Sequence, residues 1–381
     1  MKVFAFIIIL WGITNASAPK LYAQVTQVDS IVTGFLPAVS YSSDFGLFGG
    51  GIFSRINFGQ DEKPFKNQML ANVILSTKGY AVVQFVLDKT RHFDTDYRAN
   101  YEVTFTRLFQ NNFFGIGNET PFENQNWEAE NYFYESRGAF INYRGRIPIY
   151  KKSNDIQRFD WLILSNHTYE WAIERNATSQ LAQIQPLGTG HAWLTSIGTG
   201  FYWENRDHEI IPKFGNWTEF NVNATIPGIS SDLSTNVMLR HHQYYTIHFI
   251  RDLTFAGRVY WRHVFGETPF WNLSDAGFNS TLRGYPFRRF IDKGAITYNL
   301  ELRTWLLDVP SWKFRLGGYF FTDMGRVFSD LPDYTNLFKG YHQTVGFGGT
   351  LSFFNPNFFL RGEFGFSDEI SRFYAGVGYL F

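Results

Sequence analysis

The 381-residue sequence contains no cysteine. That absence excludes disulfide staples and thiolate metal centres, and it fits an oxidising envelope compartment where a stray thiol is a liability. Also missing is any apolar stretch long enough to cross a bilayer as a helix, which takes about 20 residues. The run from Val3 to Trp11, behind Lys2 and ahead of small and polar residues, is too short for that and reads as a secretory signal peptide over residues 1–23. Cleavage is expected after Ala23, because the competing Ala16-Ser17-Ala18 site would leave Pro19 immediately after the cut. The mean hydropathy of −0.21 argues further against a helical membrane protein. Charge of one sign is lacking too: 34 basic residues face 34 acidic ones, and loss of Lys2 and Lys20 with the signal leaves 32 against 34. Nothing in that balance suggests a nucleic-acid partner.

What the chain has in excess is aromatic rings and glycine: 19% Phe, Trp and Tyr, with 42 Phe and 34 Gly. Transmembrane β-barrels place such rings in girdles at both interfaces and on the lipid face. A strand with lipid on one side and a wet lumen on the other must alternate apolar and polar residues, since successive side chains point to opposite faces. Tyr97, Ala99, Tyr101, Val103 and Phe105 alternate with Arg98, Asn100, Glu102, Thr104 and Thr106. Ile296, Tyr298, Leu300 and Leu302 likewise alternate with Thr297, Asn299, Glu301 and Arg303. The pattern predicts sixteen strands near 34–41, 47–59, 68–77, 80–89, 97–108, 131–144, 159–173, 191–204, 216–225, 237–248, 253–266, 294–305, 313–323, 342–352, 357–366 and 373–381. The expected fold is all-β, a transmembrane antiparallel β-barrel of 16 strands over residues 24–381, with 205–250 the part where the count is weakest and 14 or 18 strands the alternatives.

Loop lengths provide a separate check, because barrels of this kind have short periplasmic turns and longer extracellular loops. With both termini periplasmic, the long gaps 109–130, 174–190, 267–293 and 326–340 all follow odd-numbered strands, as they should. Asn355-Pro356 and Arg251-Asp252 fall in short turns after even strands, and 145–158 stands out as a long connection on the wrong side. No repeat, linker or low-complexity segment marks a second domain.

Between the eleventh and twelfth strands lies Leu282-Arg283-Gly284-Tyr285. The twelfth strand places Glu301 on its polar face, and the thirteenth places Asp323 on the same face as Arg315 and Tyr319. A cation on an inward-folded loop would find two carboxylates in a lumen where screening is reduced. These residues resemble the BamA and TamA superfamily of outer-membrane assembly and translocation barrels, also called bacterial surface antigens. Phe114-Gly115-Ile116-Gly117-Asn118, Asn299-Leu300-Glu301-Leu302-Arg303 and the glycine- and aromatic-rich last three strands fit the same style. The resemblance covers roughly residues 32–381 and is most specific from Gly277 onward. It implies that Arg283, Gly284 and Tyr285 form a lumenal loop lock with Glu301 and Asp323, and that the first and last strands meet at a weak seam. Family members usually carry periplasmic docking modules before the barrel, and the short span between Ala23 and the first strand leaves no room for one here. The bland reading is that Arg283, Glu301 and Asp323 merely fix a loop inside a wide barrel.

The closing residues Tyr374, Gly376, Tyr379 and Phe381 have the alternating, aromatic-ended spacing that resembles the assembly signal of bacterial barrels; the alternative places Phe381 in an aromatic girdle. Enzyme readings find little support. Ser165, Asn166 and His167 are neighbours on a strand and are expected to face opposite ways, and His241-His242 fails as a chelate for the same reason. No Gly-x-Ser-x-Gly elbow or phosphate-cradling loop is present. The expectation is therefore a Gram-negative outer-membrane barrel with no cofactor, no metal and no enzymatic activity. It would assist insertion or translocation of other proteins, with outer-membrane lipids and protein clients or assembly-machinery subunits as partners. The alternatives are a passive channel and a structural platform for surface lipoproteins.

Overall fold

A computed structural model of the chain describes residues 31–58, 65–152, 157–208, 211–249, 251–331, 339–353 and 359–381. The expected signal peptide and the Asn355-Pro356 turn lie outside these residues. The wall is a closed barrel of sixteen antiparallel strands, each hydrogen-bonded to its neighbours in sequence. They are β1 (Ile31–Ser42), β2 (Gly46–Asn57), β3 (Asn67–Ser76), β4 (Tyr80–His92), β5 (Tyr97–Asn112), β6 (Phe133–Lys151), β7 (Arg158–Glu174) and β8 (Gly190–Glu204). The second half comprises β9 (Gly215–Thr225), β10 (Ser234–His248), β11 (Asp252–Gly266), β12 (Gly294–Val309), β13 (Phe314–Phe328), β14 (His342–Phe353), β15 (Phe359–Phe366) and β16 (Ser371–Val377).

The alternation read from the sequence sets which way each side chain points. On β5, Tyr101 and Phe105 face outward and are exposed, while Thr104 is buried on the enclosed face. On β12, Leu300 is outside, and Thr297, Asn299, Glu301 and Arg303 are buried inside. An outward surface carrying Phe35, Phe53, Phe85, Phe105, Phe320 and Phe347 is matched to hydrocarbon and not to water. Enclosing the polar face is what allows so many charged side chains to be buried in one chain.

Two departures from the sequence reading have local causes. β6 runs on to Lys151, across a register shift between Pro148 and Tyr150. Proline cannot donate to the ladder and is accommodated at a bulge, so the alternation breaks there and the strand looks finished too early. With β7 beginning at Arg158, only 152–157 then separates the two strands, the short spacing expected on that side. At the other end, β16 stops at Val377 and not at residue 381. Gly378, at φ +75°, turns the chain out of the ladder, so Phe381 lies in no girdle and meets the enclosed-face residues His242, Arg258 and Arg303.

Candidate functional site

The segment between β11 and β12 is the longest of the described connections, and it is built, not slack. Two three-residue strands, Ser274–Ala276 and Phe290–Asp292, pair into a ribbon that presents the intervening turn. Ala276, Leu282, Tyr285 and Phe290 pack together with Ala295 and Val327 as one apolar cluster. The sequence-predicted residues sit at its tip.

Arg283 is fully buried. Its Nε and Nη2 donate to the two carboxylate oxygens of Asp323 at 2.8 and 2.7 Å, a bidentate fork, and its backbone N–H reaches the same carboxylate at 3.1 Å. Its Nη1 donates to Glu301 and, at 3.1 Å, to Glu363 on β15. The guanidinium lies 3.5 Å from the Phe321 ring centroid. Burial opposes the charge, but Asp323 and Glu301 more than offset it and hold the Arg283 guanidinium well above its ordinary value. Arg303 donates to Glu301 at 2.8 Å, and Arg361 lies 3.6 Å from Glu363. Three arginines thus balance three carboxylates in a site that no single ion pair could occupy without a large desolvation penalty.

Gly284 and Tyr285 explain how the tip fits. Gly284 has φ +105°, and a Cβ there would stand 3.0 Å from the backbone of Gly365 and Phe366 on β15. Gly365 is the reciprocal case, with the Gly284 nitrogen 2.7 Å from its own missing Cβ. The Gly284 N–H donates to the Tyr374 hydroxyl on β16 at 3.3 Å, and Tyr285 donates its hydroxyl to Asp368. The Phe114–Asn118 segment meets both the ribbon and β13: the Gly117 N–H donates to the Ile291 carbonyl at 2.9 Å, and Asn118 accepts from the Val327 N–H of β13 at 2.9 Å. Glu363 was not named from the sequence, and Arg303 and Phe321 were read only as members of their strands, with no part in the site. Strict alternation along Leu360–Phe364 puts Glu363 on the polar face and was the available signal for it.

The second element is the closure of the barrel. β1 and β2 pair along their whole length, from Ile31↔Asn57 to Ser42↔Gly46. β1 and β16 share only two residue pairs, Tyr41↔Ala375 and Ser42↔Tyr374. Beyond them the Ser43 N–H donates to the Phe373 carbonyl at 3.0 Å, and the Phe373 N–H donates to the Ser43 hydroxyl at 2.9 Å. All of this is at one end of β1, so Ile31–Ser40 has no ladder partner on the β16 side among the described residues. Pro37 inside β1 is itself an edge-strand signature, because it lacks the N–H a central strand needs.

The loop reaches both sides of this seam. Asp44, after β1, accepts from the Phe287 N–H at 3.0 Å, while Tyr374 stands on β16. Phe45 packs on Phe278 and Phe287, and Phe278 packs edge-on against Tyr374, forming an aromatic bridge over the seam. Of the other closing residues, Tyr379 lies against Tyr319 and Phe359, the Phe381 carbonyl accepts from Arg303 at 2.6 Å, and Gly376 pairs with Arg361.

The residues set aside as catalysts are placed differently from one another. His241 and His242 do face opposite ways: His241 meets the Thr218 hydroxyl at 2.8 Å, and His242 is buried beside Trp217. Ser165 and His167 do not. They are two apart on β7, share its outward face, and lie 3.1 Å apart at Oγ and Nε2, so their exclusion as mutual contacts was an error of period.

Known proteins sharpen this picture. The architecture is similar to BamA from Haemophilus ducreyi lacking POTRA domains 1–3, at a TM-score of 0.61 and 14% identity, covering 92% of this chain and 70% of that one. It is similar to CdiB from Escherichia coli at a TM-score of 0.60 and 10% identity, covering 93% and 63%, and to CdiB from Acinetobacter baumannii at 0.54 and 12%, covering 92% and 66%. The chain therefore spans about two thirds of the length of these structures, and at such identities the likeness is one of fold. No curated protein sequence matches the chain. Residues 68–381 match the Omp85 superfamily domain, most of the chain and all of the loop and carboxylate site, and the protein belongs to that superfamily.

Proposed function

We propose that this protein is an outer-membrane barrel that helps other proteins insert into or cross that membrane, and that it does so through the β1–β16 seam. The observation that carries this reading is the two-pair closure, Tyr41↔Ala375 and Ser42↔Tyr374, beside the edge of Ile31–Ser40 that has no ladder partner on that side among the described residues. An exposed strand edge is a template for another strand, and ladder hydrogen bonds lost on opening are replaced by those of a client. The loop bearing Arg283 acts as the lock: anchored on Asp323, Glu301 and Glu363, it holds the aromatic bridge across the closed seam. Superfamily membership and the likeness to BamA and CdiB support the assembly or translocation class. No energy source or cofactor enters the scheme, since strand exchange is near-balanced in hydrogen bonds.

The absence of native cysteine makes a clean test possible. A disulfide between Tyr41→Cys and Ala375→Cys locks the seam, and Phe53→Cys with Ala71→Cys, opposite each other on β2 and β3, is the control lock. Both proteins go into lipid vesicles, and folding of a small urea-unfolded barrel into the same vesicles is followed by its heat-dependent gel shift. The seam lock is expected to abolish acceleration until reductant is added, with the control lock unaffected. Equal acceleration by locked and reduced protein would overturn the seam mechanism. Steady open-channel steps in planar bilayers from the unmodified protein would instead favour the passive channel.

A further inference from the structure

Away from the seam and the loop, the outward face carries one concentration of charge that no structural pairing accounts for. Arg107 on β5 and Arg137 on β6 stand directly opposite each other in register. Like charges in that position repel. They share one counterion: each donates its Nε to the same Glu135 oxygen, at 2.8 and 2.9 Å. Glu135 is nearly buried, whereas the two arginine side chains are 53% and 46% exposed. No other protein acceptor engages either guanidinium among the described residues, so the terminal nitrogens of both keep free donors. Nearby, Arg175 is neutralised by Glu130 at 3.0 Å, leaving a surplus positive charge on the Arg107–Arg137 pair.

The setting is that of a membrane interface. Arg107 lies between the exposed rings of Phe105 and Phe109 on the same face of β5. The Arg137 guanidinium sits 5.0 Å from the Trp171 ring centroid, and Trp171 stacks on His191 at 4.7 Å. Below them on the outward face is Ile141, more than half exposed. The patch is at the end of the wall where β5, β7 and β11 run into the long connections 113–132, 175–189 and 267–293, the extracellular end by the loop-length rule.

From this geometry we infer a binding site for a phosphate-bearing lipid of the outer leaflet, its phosphate held by the free donors of Arg107 and Arg137 and its acyl chains lying on Phe105 and Ile141. Guanidinium forks match phosphate in a bidentate manner, and Nε pinning by Glu135 fixes their direction before the ligand arrives. An apolar surface beneath a cationic pair selects an amphiphile over a free anion. The role is separate from the seam and survives its failure.

The test is lipid retention. The detergent-purified protein is reconstituted in phosphatidylcholine nanodiscs doped with lipid A or with dephosphorylated lipid A, and lipid retained after extraction is weighed by native mass spectrometry. The full chain is expected to keep phosphorylated lipid and not the dephosphorylated form. Arg107→Gln with Arg137→Gln lowers retention ~tenfold or more, the size of losing charge-assisted hydrogen bonds. Arg55→Gln, exposed on β2, leaves it unchanged. Arg107→Gln alone serves where the double variant does not give a heat-shifted band, and is expected to lower retention by a smaller factor. Equal retention of both lipid forms, or unchanged retention in the double variant or in Arg107→Gln where it stands in for that variant, would overturn the site. Displacement by millimolar inorganic phosphate alone would reassign it to a free anion and overturn the lipid.

Discussion

The tightest and loosest joints of this wall differ in how they are held. β6 and β7 pair from Tyr134↔Glu174 to Lys151↔Arg158 and need little else. β1 and β16 share two residue pairs, and the rest of their closure comes from side chains and from a loop: Ser43 with Phe373, Asp44 with Phe287, and Phe45 and Tyr374 around Phe278. A long ladder is broken only cooperatively, whereas a joint made of a few side chains opens when any support is withdrawn. The closure is therefore only as firm as the loop, and the loop only as firm as the buried charges under Arg283.

Withdrawing that support is expected to give the largest effect. Arg283→Ala leaves Asp323, Glu301 and Glu363 buried with less cation, at about 3–5 kcal/mol for breaking a buried pair. The barrel should persist, because its ladders do not pass through the loop, while 267–293 becomes cleavable by added protease on intact cells. Asp323→Ala is expected to expose the same segment less, because Arg283 keeps Glu301 and Glu363, and the double variant to be no worse than Arg283→Ala, which already removes the shared interaction. Simple addition of the two effects would show that Arg283 and Asp323 act on the loop separately. Hydrogen exchange sharpens the contrast further: the single variants should speed exchange along β1 and leave β6 and β7 as slow as before.

How far the sequence reached follows the same division. Strand number, order and facing were legible because period-2 alternation is imposed by lipid on one side and water on the other. The pairing of Arg283 with acidic residues on the next two strands was legible because both carboxylates fall on the polar face. Glu363 was not picked out, since it lies far along the chain and only closure of the barrel brings β15 to the loop. Nor was the aromatic bridge, because Phe45, Phe278 and Tyr374 come from three separate segments with no local pattern to join them. Pro148 concealed the end of β6, and Gly378 the turn that takes the last residues out of β16.

Gly284 sets the next expected effect. Its φ is +105°, and the backbone of Gly365 and Phe366 stands 3.0 Å from where a Cβ would go, so an alanine there is both strained and crowded. About 1–3 kcal/mol is expected for Gly284→Ala, of the order given for a residue held in a sparsely populated backbone region. The loop should loosen as in Arg283→Ala but less, read by the protease concentration that cuts half of it. An unchanged concentration would mean that the tip does not depend on its approach to β15.

The smallest effect is expected at Gly378, and it separates conformation from crowding. Like Gly284 it has positive φ, +75°, but a Cβ there would meet nothing within 4 Å. Gly378→Ala therefore carries only the left-handed penalty, about 1 kcal/mol for an L-residue. Its N–H donates to Phe359 at 2.9 Å, the last bond to β15 before the chain departs toward Arg303. Since alanine prefers negative φ, the substitution favours continuation of β16 alongside the unpaired part of β1. The expected outcome is a barrel of nearly unchanged thermal stability whose amides between Phe35 and Ser40 exchange more slowly. Loop protection at 267–293 should stay as it was, because Gly378 touches none of the Arg283 contacts. Faster exchange along β1 would mean that the inward turn at Gly378 supports the seam, and equal penalties at Gly284 and Gly378 would mean that backbone crowding at the loop tip adds nothing.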